Sequence, residues 1–236
     1  MGLLLGLAGL AVAALGITHQ VMPRTFSPAQ RQQIMAWEVL KRWQSWPAGQ
    51  IFPARVSYRV PGAVFGGGPD LRLAAQRAGI AGQARCHDAT PAAIARVLAK
   101  SRCLAVLRAT YDDETQTLAV TVGVAVLPST AAARDAFRAL PHGVSLRPSV
   151  TAVPFRHTLV ARFANSRRQL SREWVSGPYL VLAAVGYADG RPWLPTGNDS
   201  YVRAEMMSLA SGVGQSVASG LGAQPPQPHC PGSPGC

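Results

Sequence analysis

The sequence predicts an α+β protein: an N-terminal transmembrane helix, then a mostly antiparallel sheet with helices packed on one face. Three observations predict it. Residues 2–17 carry no charged side chain. Several later segments have the length and apolar content of strands and are joined by short polar turns, which suit antiparallel neighbours better than crossovers. Segments with helix start and stop signals lie before, between and after them. The 236 residues are 48% hydrophobic and only 14% charged, so the chain can form a core and is not disordered throughout. With 23 basic against 11 acidic side chains the net charge is +12, which excludes an acidic solvating protein.

The front of the chain reads GLLLGLAGLAVAALGI from Gly2 to Ile17. As a helix, Leu3 to Met22 would rise about 30 Å, the thickness of a hydrocarbon core. Ala11-Val12-Ala13 would suit signal cleavage, but a cut there leaves a short apolar region and no charged start. A retained anchor over residues 1–22, or an uncleaved signal, is therefore expected. Arg24, Arg31, Lys41 and Arg42 follow the span, and counted alone they favour a cytoplasmic domain. Long domains cross membranes largely regardless of charge, and the cysteines suit an oxidising compartment. The expected place is the cell membrane, single-pass, with the domain extracytoplasmic.

Residues 23–47 read as a juxtamembrane amphipathic helix. Ser27 can cap it, Pro28 suits its first turn and Gln30 takes the capping-box position. The helix should end near Ser45, before Pro47. Trp37, Trp43 and Trp46, interleaved with Arg31, Lys41 and Arg42, are candidates for a membrane interface. Equally, the broad apolar face can pack on the domain that follows.

Residues 48–220 form the expected domain. Ile51 to Val60 ends in an alternation, with Val56, Tyr58 and Val60 on one side and Arg55, Ser57 and Arg59 on the other, as in a half-buried strand. Gly66-Gly67-Gly68 marks a loop without the Lys-Ser/Thr ending of a phosphate-binding loop. Asp70 is expected to open a short helix over Leu71 to Ala78, ended by Gly79. Thr90-Pro91 starts another, Ala92 to Ser101. Cys103 to Tyr111 and Thr117 to Leu127 are the strongest strand pair, joined by Asp112 to Gln116 as a solvated polar turn. Ser129 should cap a helix to Leu140. Val150 to Pro154 leads to an expected strand, Phe155 to Ala164, with His157 in it. Leu170 to Val175 and Tyr179 to Tyr187 are further strands. Asp199 to Ala218 is the closing helix, with Met206, Met207, Leu209 and Val213 inward and Ser219-Gly220 as its end. Five or six strands result. Residues 221–236 are a Pro/Gly-rich tail, expected to be disordered.

Cys86 and Cys103 flank a helix, and Cys230 and Cys236 lie in the tail. The expected bridges are Cys86–Cys103 and Cys230–Cys236, against four free thiols as the alternative. No C-x-x-C or H-x-x-x-H pair exists, so no metal is expected. His142 and His157 read as ordinary histidines. There is no nucleophile elbow, zinc-protease helix or dinucleotide fingerprint, and no cofactor is expected. Arg167, Arg168 and Arg172 form the densest basic group beyond the juxtamembrane helix. The charge could attract anionic lipid or cell-wall polymer. No nucleic-acid fold motif accompanies it, so nucleic acid is not an expected partner.

The stretch from His19 to Tyr58 (HQVMPRTFSPAQRQQIMAWEVLKRWQSWPAGQIFPARVSY), and that from Cys103 to Val126 with its RATY hairpin, resemble uncharacterised single-pass membrane-anchored proteins of actinobacteria. The resemblance implies an N-terminal anchor and an extracytoplasmic domain, and supplies no catalytic residues. The expected function is an envelope interaction or structural domain, held by membrane lipid through residues 1–22, with an envelope protein or a second copy as partner. The alternative is a binder of a small ligand, anionic lipid or cell-wall polymer in a cleft between the sheet and the Trp37–Trp46 helix. An enzyme built from dispersed residues is the third.

Overall fold

The structure, a computed structural model, describes residues 26–140, 149–192 and 199–228. The expected anchor over residues 1–22 and the Cys230–Cys236 bridge lie outside them. Among the described residues, no helix is long and apolar enough to cross a membrane. Among the described residues, those within 39–223 form one compact unit, and 26–38 with 224–228 belong to another.

Helix α1 (Pro28–Ser45) begins in the smaller unit. Its start is the expected capping box. Ser27 N–H donates to Gln30 Oε1 at 2.9 Å, and Gln30 N–H donates to Ser27 Oγ at 3.2 Å.

In the larger unit, the end of α1 is followed by a helical turn α2 (Ala48–Ile51) and strand β1 (Arg55–Val60). The alternation expected in β1 is present, with Val56, Tyr58 and Val60 buried. Next come β2 (Leu71–Ala84), α3 (Cys86–Ala89), α4 (Ala92–Lys100), β3 (Ala105–Asp113), β4 (Leu118–Val126) and α5 (Thr130–Ala139). Strands β5 (Arg168–Ser176) and β6 (Tyr179–Tyr187) and helix α6 (Asp199–Gly222) complete it. Ser129 caps α5 by accepting from Ala132 N–H, as its position predicts.

The six described strands form one sheet in the order β1-β2-β3-β4-β6-β5, with antiparallel pairing between neighbours. Helix α6 touches both edge strands, β1 and β5, as well as β4 and β6, so the sheet curls round it. Odd positions of β6 (Val181, Ala183, Val185) and even positions of β4 (Val120, Val122, Val124) face Met206, Leu209, Val213 and Val217 of α6. The opposite positions, Leu180, Leu182 and Ala125, form a second cluster with Ile94 and Leu98 of α4 and Ala133 and Ala136 of α5. The α+β class and antiparallel sheet stand as expected. The long helix covers one face, and the short helices close the back.

Close approach of α6 to the sheet edges depends on glycine. A Cβ on Gly212 would meet Tyr58 of β1, and one on Gly214 would meet the Trp174 ring of β5.

Four local expectations are corrected. Leu71 to Ala78 is not a helix but the first part of β2. Its Ala, Leu and Arg residues suit a helix, but β1 and β3 offer ladders on both sides, and tertiary pairing overrides a weak propensity. Gly79 sits at a bulge in β2 against the Phe155 ring. Phe155 to Ala164 is not a strand but a run of turns, in which His157 has φ +61°. Val160 and Phe163 anchor these turns in a third small cluster with Ala119 and Ala188. The polar turn between β3 and β4 is not wholly solvated. Asp113 is buried, and its carboxylate accepts from the backbone N–H groups of Thr115, Thr117 and Leu118 at 3.2, 2.9 and 2.7 Å. Finally, α6 runs through Ser219-Gly220 to Gly222, because Arg42 supplies its cap.

Candidate functional site

The residues proposed from sequence for a membrane interface have different fates. Trp37 is 61% exposed and Arg31 half-buried. Lys41 Nζ donates to Gln44 Oε1 at 3.3 Å on the helix surface. Trp43 and Trp46 are half-buried against the main core beside buried Val39. From Val39 onward this helix packs on the main core. Arg42 is only 3% exposed. Its Nη1 donates to the carbonyls of Leu221 at 2.8 Å and Ala223 at 2.6 Å, and its guanidinium lies 4.7 Å from the centre of the Trp46 ring. The structure gives Arg42 an internal role in place of the surface one. It caps the negative end of α6, where a cation is stabilising.

Cys86 and Cys103 are joined by a disulfide, as expected, across a Cα–Cα distance of 6.3 Å. It ties the start of α3 to the start of β3. The arginine group named from sequence is dispersed. Arg167 is exposed. Arg168 donates to the carbonyls of Asn165 and Val150, and burial lowers its pKa to about 10. Arg172 stands on β5 near α6, 5.9 Å from the centre of the Trp174 ring.

The structure brings a different set of arginines together. Arg55 and Arg59 alternate outward on β1, and β2 pairs with β1 so that Arg59 is directly opposite Arg72. Like charges at directly opposed positions cost stability. These three guanidiniums line an open groove of about 450 Å³ with Ser57, Leu73 and Glu114. Two are partly balanced. Arg55 meets Glu114 at 3.2 Å and Arg59 meets Asp70 at 3.2 Å. Asp70 also accepts from Gly62 N–H at 3.1 Å, and that bond, with Arg59, holds its carboxyl below the usual carboxylate range. Arg72 makes no ion pair among the described residues.

Arg59 also borders a second groove of about 390 Å³, where the two edges of the curled sheet leave the outer side of α6 uncovered. Arg172 also borders it, and Val64, Met207, Ser208 and Ser211 line it. On the inner side of β1, Tyr58 is buried and its hydroxyl has no hydrogen-bond partner among the described residues. Burial, then the charges of Asp113 and Glu205, raise its pKa, so it stays a neutral phenol.

Arg55 and Arg59 were visible in the sequence as the outward side of a strand. Arg72 was not, because its segment reads as a helix, and the pairing that sets it beside Arg59 exists only in the sheet. Among the described residues, no group of three or more His, Cys, Asp or Glu side chains could hold a metal ion. Comparisons with protein-family models, with curated proteins and with solved structures found no match to this chain.

Proposed function

We propose that this chain is an extracytoplasmic interaction domain of the cell envelope, tethered through residues 1–22, that engages an anionic polymer through the arginine-lined groove of β1 and β2. The observation that carries the reading is the cross-strand opposition of Arg59 and Arg72. Two arginines directly opposed on neighbouring strands work against folding, Asp70 balances only Arg59, and a polyanion lying along the strands would relieve the remaining repulsion. The Cys86–Cys103 bridge supports an oxidising location. The net charge of +12 supports attraction of an anionic partner at long range.

Two measurements test it. In intact spheroplasts, external protease should digest the domain; full protection would place it on the other side of the membrane. The full chain, reconstituted in phosphatidylcholine nanodiscs, should bind polyphosphate. Binding should weaken as salt rises and fall at least tenfold in Arg72→Ala. Salt-independent binding, or none, would remove the polymer part of the proposal.

A further inference from the structure

The second groove has a different chemistry from the first. It is bordered by residues far apart in sequence, Arg59 at one edge of the sheet and Arg172 at the other; no carboxylate lines it, although Arg59 Nη1 also meets Asp70 at 3.2 Å. Apolar Val64 and Met207 line the same groove, as do Ser208 and Ser211. Two guanidiniums from opposite edges of the sheet suit one head group that carries up to two negative charges and several acceptor oxygens. An apolar floor suits a hydrocarbon chain. A water-sized group occupies about 30 Å³, so this groove has room for roughly a dozen such groups.

We infer that the gap between β1 and β5 over α6 is a binding site for a single-chain alkyl phosphate, with the phosphate between Arg59 and Arg172 and the chain along Val64 and Met207. The site exists because the sheet curls without closing. Gly212 and Gly214 draw β1 and β5 close to α6, and the outer side of the helix stays open between them. The inference goes beyond the polymer groove and shares only Arg59 with it.

The probe is decyl phosphate below its micelle concentration, titrated calorimetrically into the full chain in phosphatidylcholine nanodiscs, with empty nanodiscs subtracted. Decyl phosphate should bind at least tenfold more tightly than inorganic phosphate and than decanol. Arg172→Gln should weaken it at least tenfold and leave polyphosphate binding unchanged. Arg72→Ala should do the reverse. Met207→Trp, which fills the floor and keeps both charges, should also weaken decyl phosphate. Each variant is required to melt within a few degrees of the parent. Equal binding of inorganic phosphate, or unchanged decyl phosphate binding in both Arg172→Gln and Met207→Trp, would overturn the site. Either result leaves the polyphosphate outcome to be judged separately.

Discussion

The guanidinium of Arg42 donates to the carbonyl of Leu221 at 2.8 Å, across 179 positions of sequence. One side chain of α1 thus closes the last turn of α6. The last carbonyls of a helix have no partner within it, and Arg42 supplies one to Leu221 and Ala223. Arg42→Ala removes the cap and the contact with Trp46. It should cost about 2 kcal/mol, the scale of hydrogen bonds from a charged donor. Chemical denaturation would measure it, and a loss below about 0.5 kcal/mol, the surface level, would show the cap to be unimportant.

Tyr179 holds the same helix from the sheet side. Its hydroxyl donates to Val39 O at 2.5 Å and accepts from Trp43 N–H at 3.4 Å. Burial pushes its pKa up to about 12. Tyr179→Phe should destabilise by about 1 kcal/mol. An ultraviolet titration of the parent should contain a late-ionising phenol that the variant lacks.

Glu205 on α6 gives the fold a pH dependence. Burial, and then the Asp113 carboxylate, raise its pKa above the usual carboxylate range. The folded state therefore holds this proton more tightly than the unfolded chain does. That contribution is fully present below the unfolded pKa of about 4.3 and is lost as pH rises through the folded value. Glu205→Gln should raise the melting temperature at pH 8 and have little effect at pH 4. A variant that melts lower than the parent at pH 8 would contradict this sign.

The glycines of α6 separate close packing from helix propensity. Nothing lies near a Cβ built on Gly220, so Gly220→Ala should stabilise by up to about 1 kcal/mol. Gly212→Ala gains the same propensity but drives a methyl group into Tyr58, and should be destabilising on balance. Thermal melts of the two variants should shift in opposite directions.

The Cys86–Cys103 bridge spans 17 positions. Loop entropy alone predicts about 3 kcal/mol of stabilisation for a loop of that length. Denaturation of the Cys86→Ala/Cys103→Ala variant should show a loss of that order, and alkylation of the unreduced parent should leave both residues unlabelled.

Much of the α+β frame was legible because its signals are local. The capping box at Ser27 and Gln30, the alternation of β1 and the apolar runs of β4 and β6 each depend on a few neighbouring residues. So does the cap at Ser129. The bridge between Cys86 and Cys103 followed from an even cysteine count and the helix lying between them. Three features were decided by contacts between distant parts of the chain. Leu71 to Ala78 became a strand because β1 and β3 needed a partner between them. Arg42 became internal because its guanidinium reaches the carbonyls at the end of α6. Arg72 met Arg59 only through the register of β2. Local preferences are worth tenths of a kcal/mol per residue, and a sheet position between two strands, with an apolar face to bury, outweighs them. The arginine grooves belong to that second kind of information, since they are made by the edges of a curled sheet and exist in no single stretch of sequence.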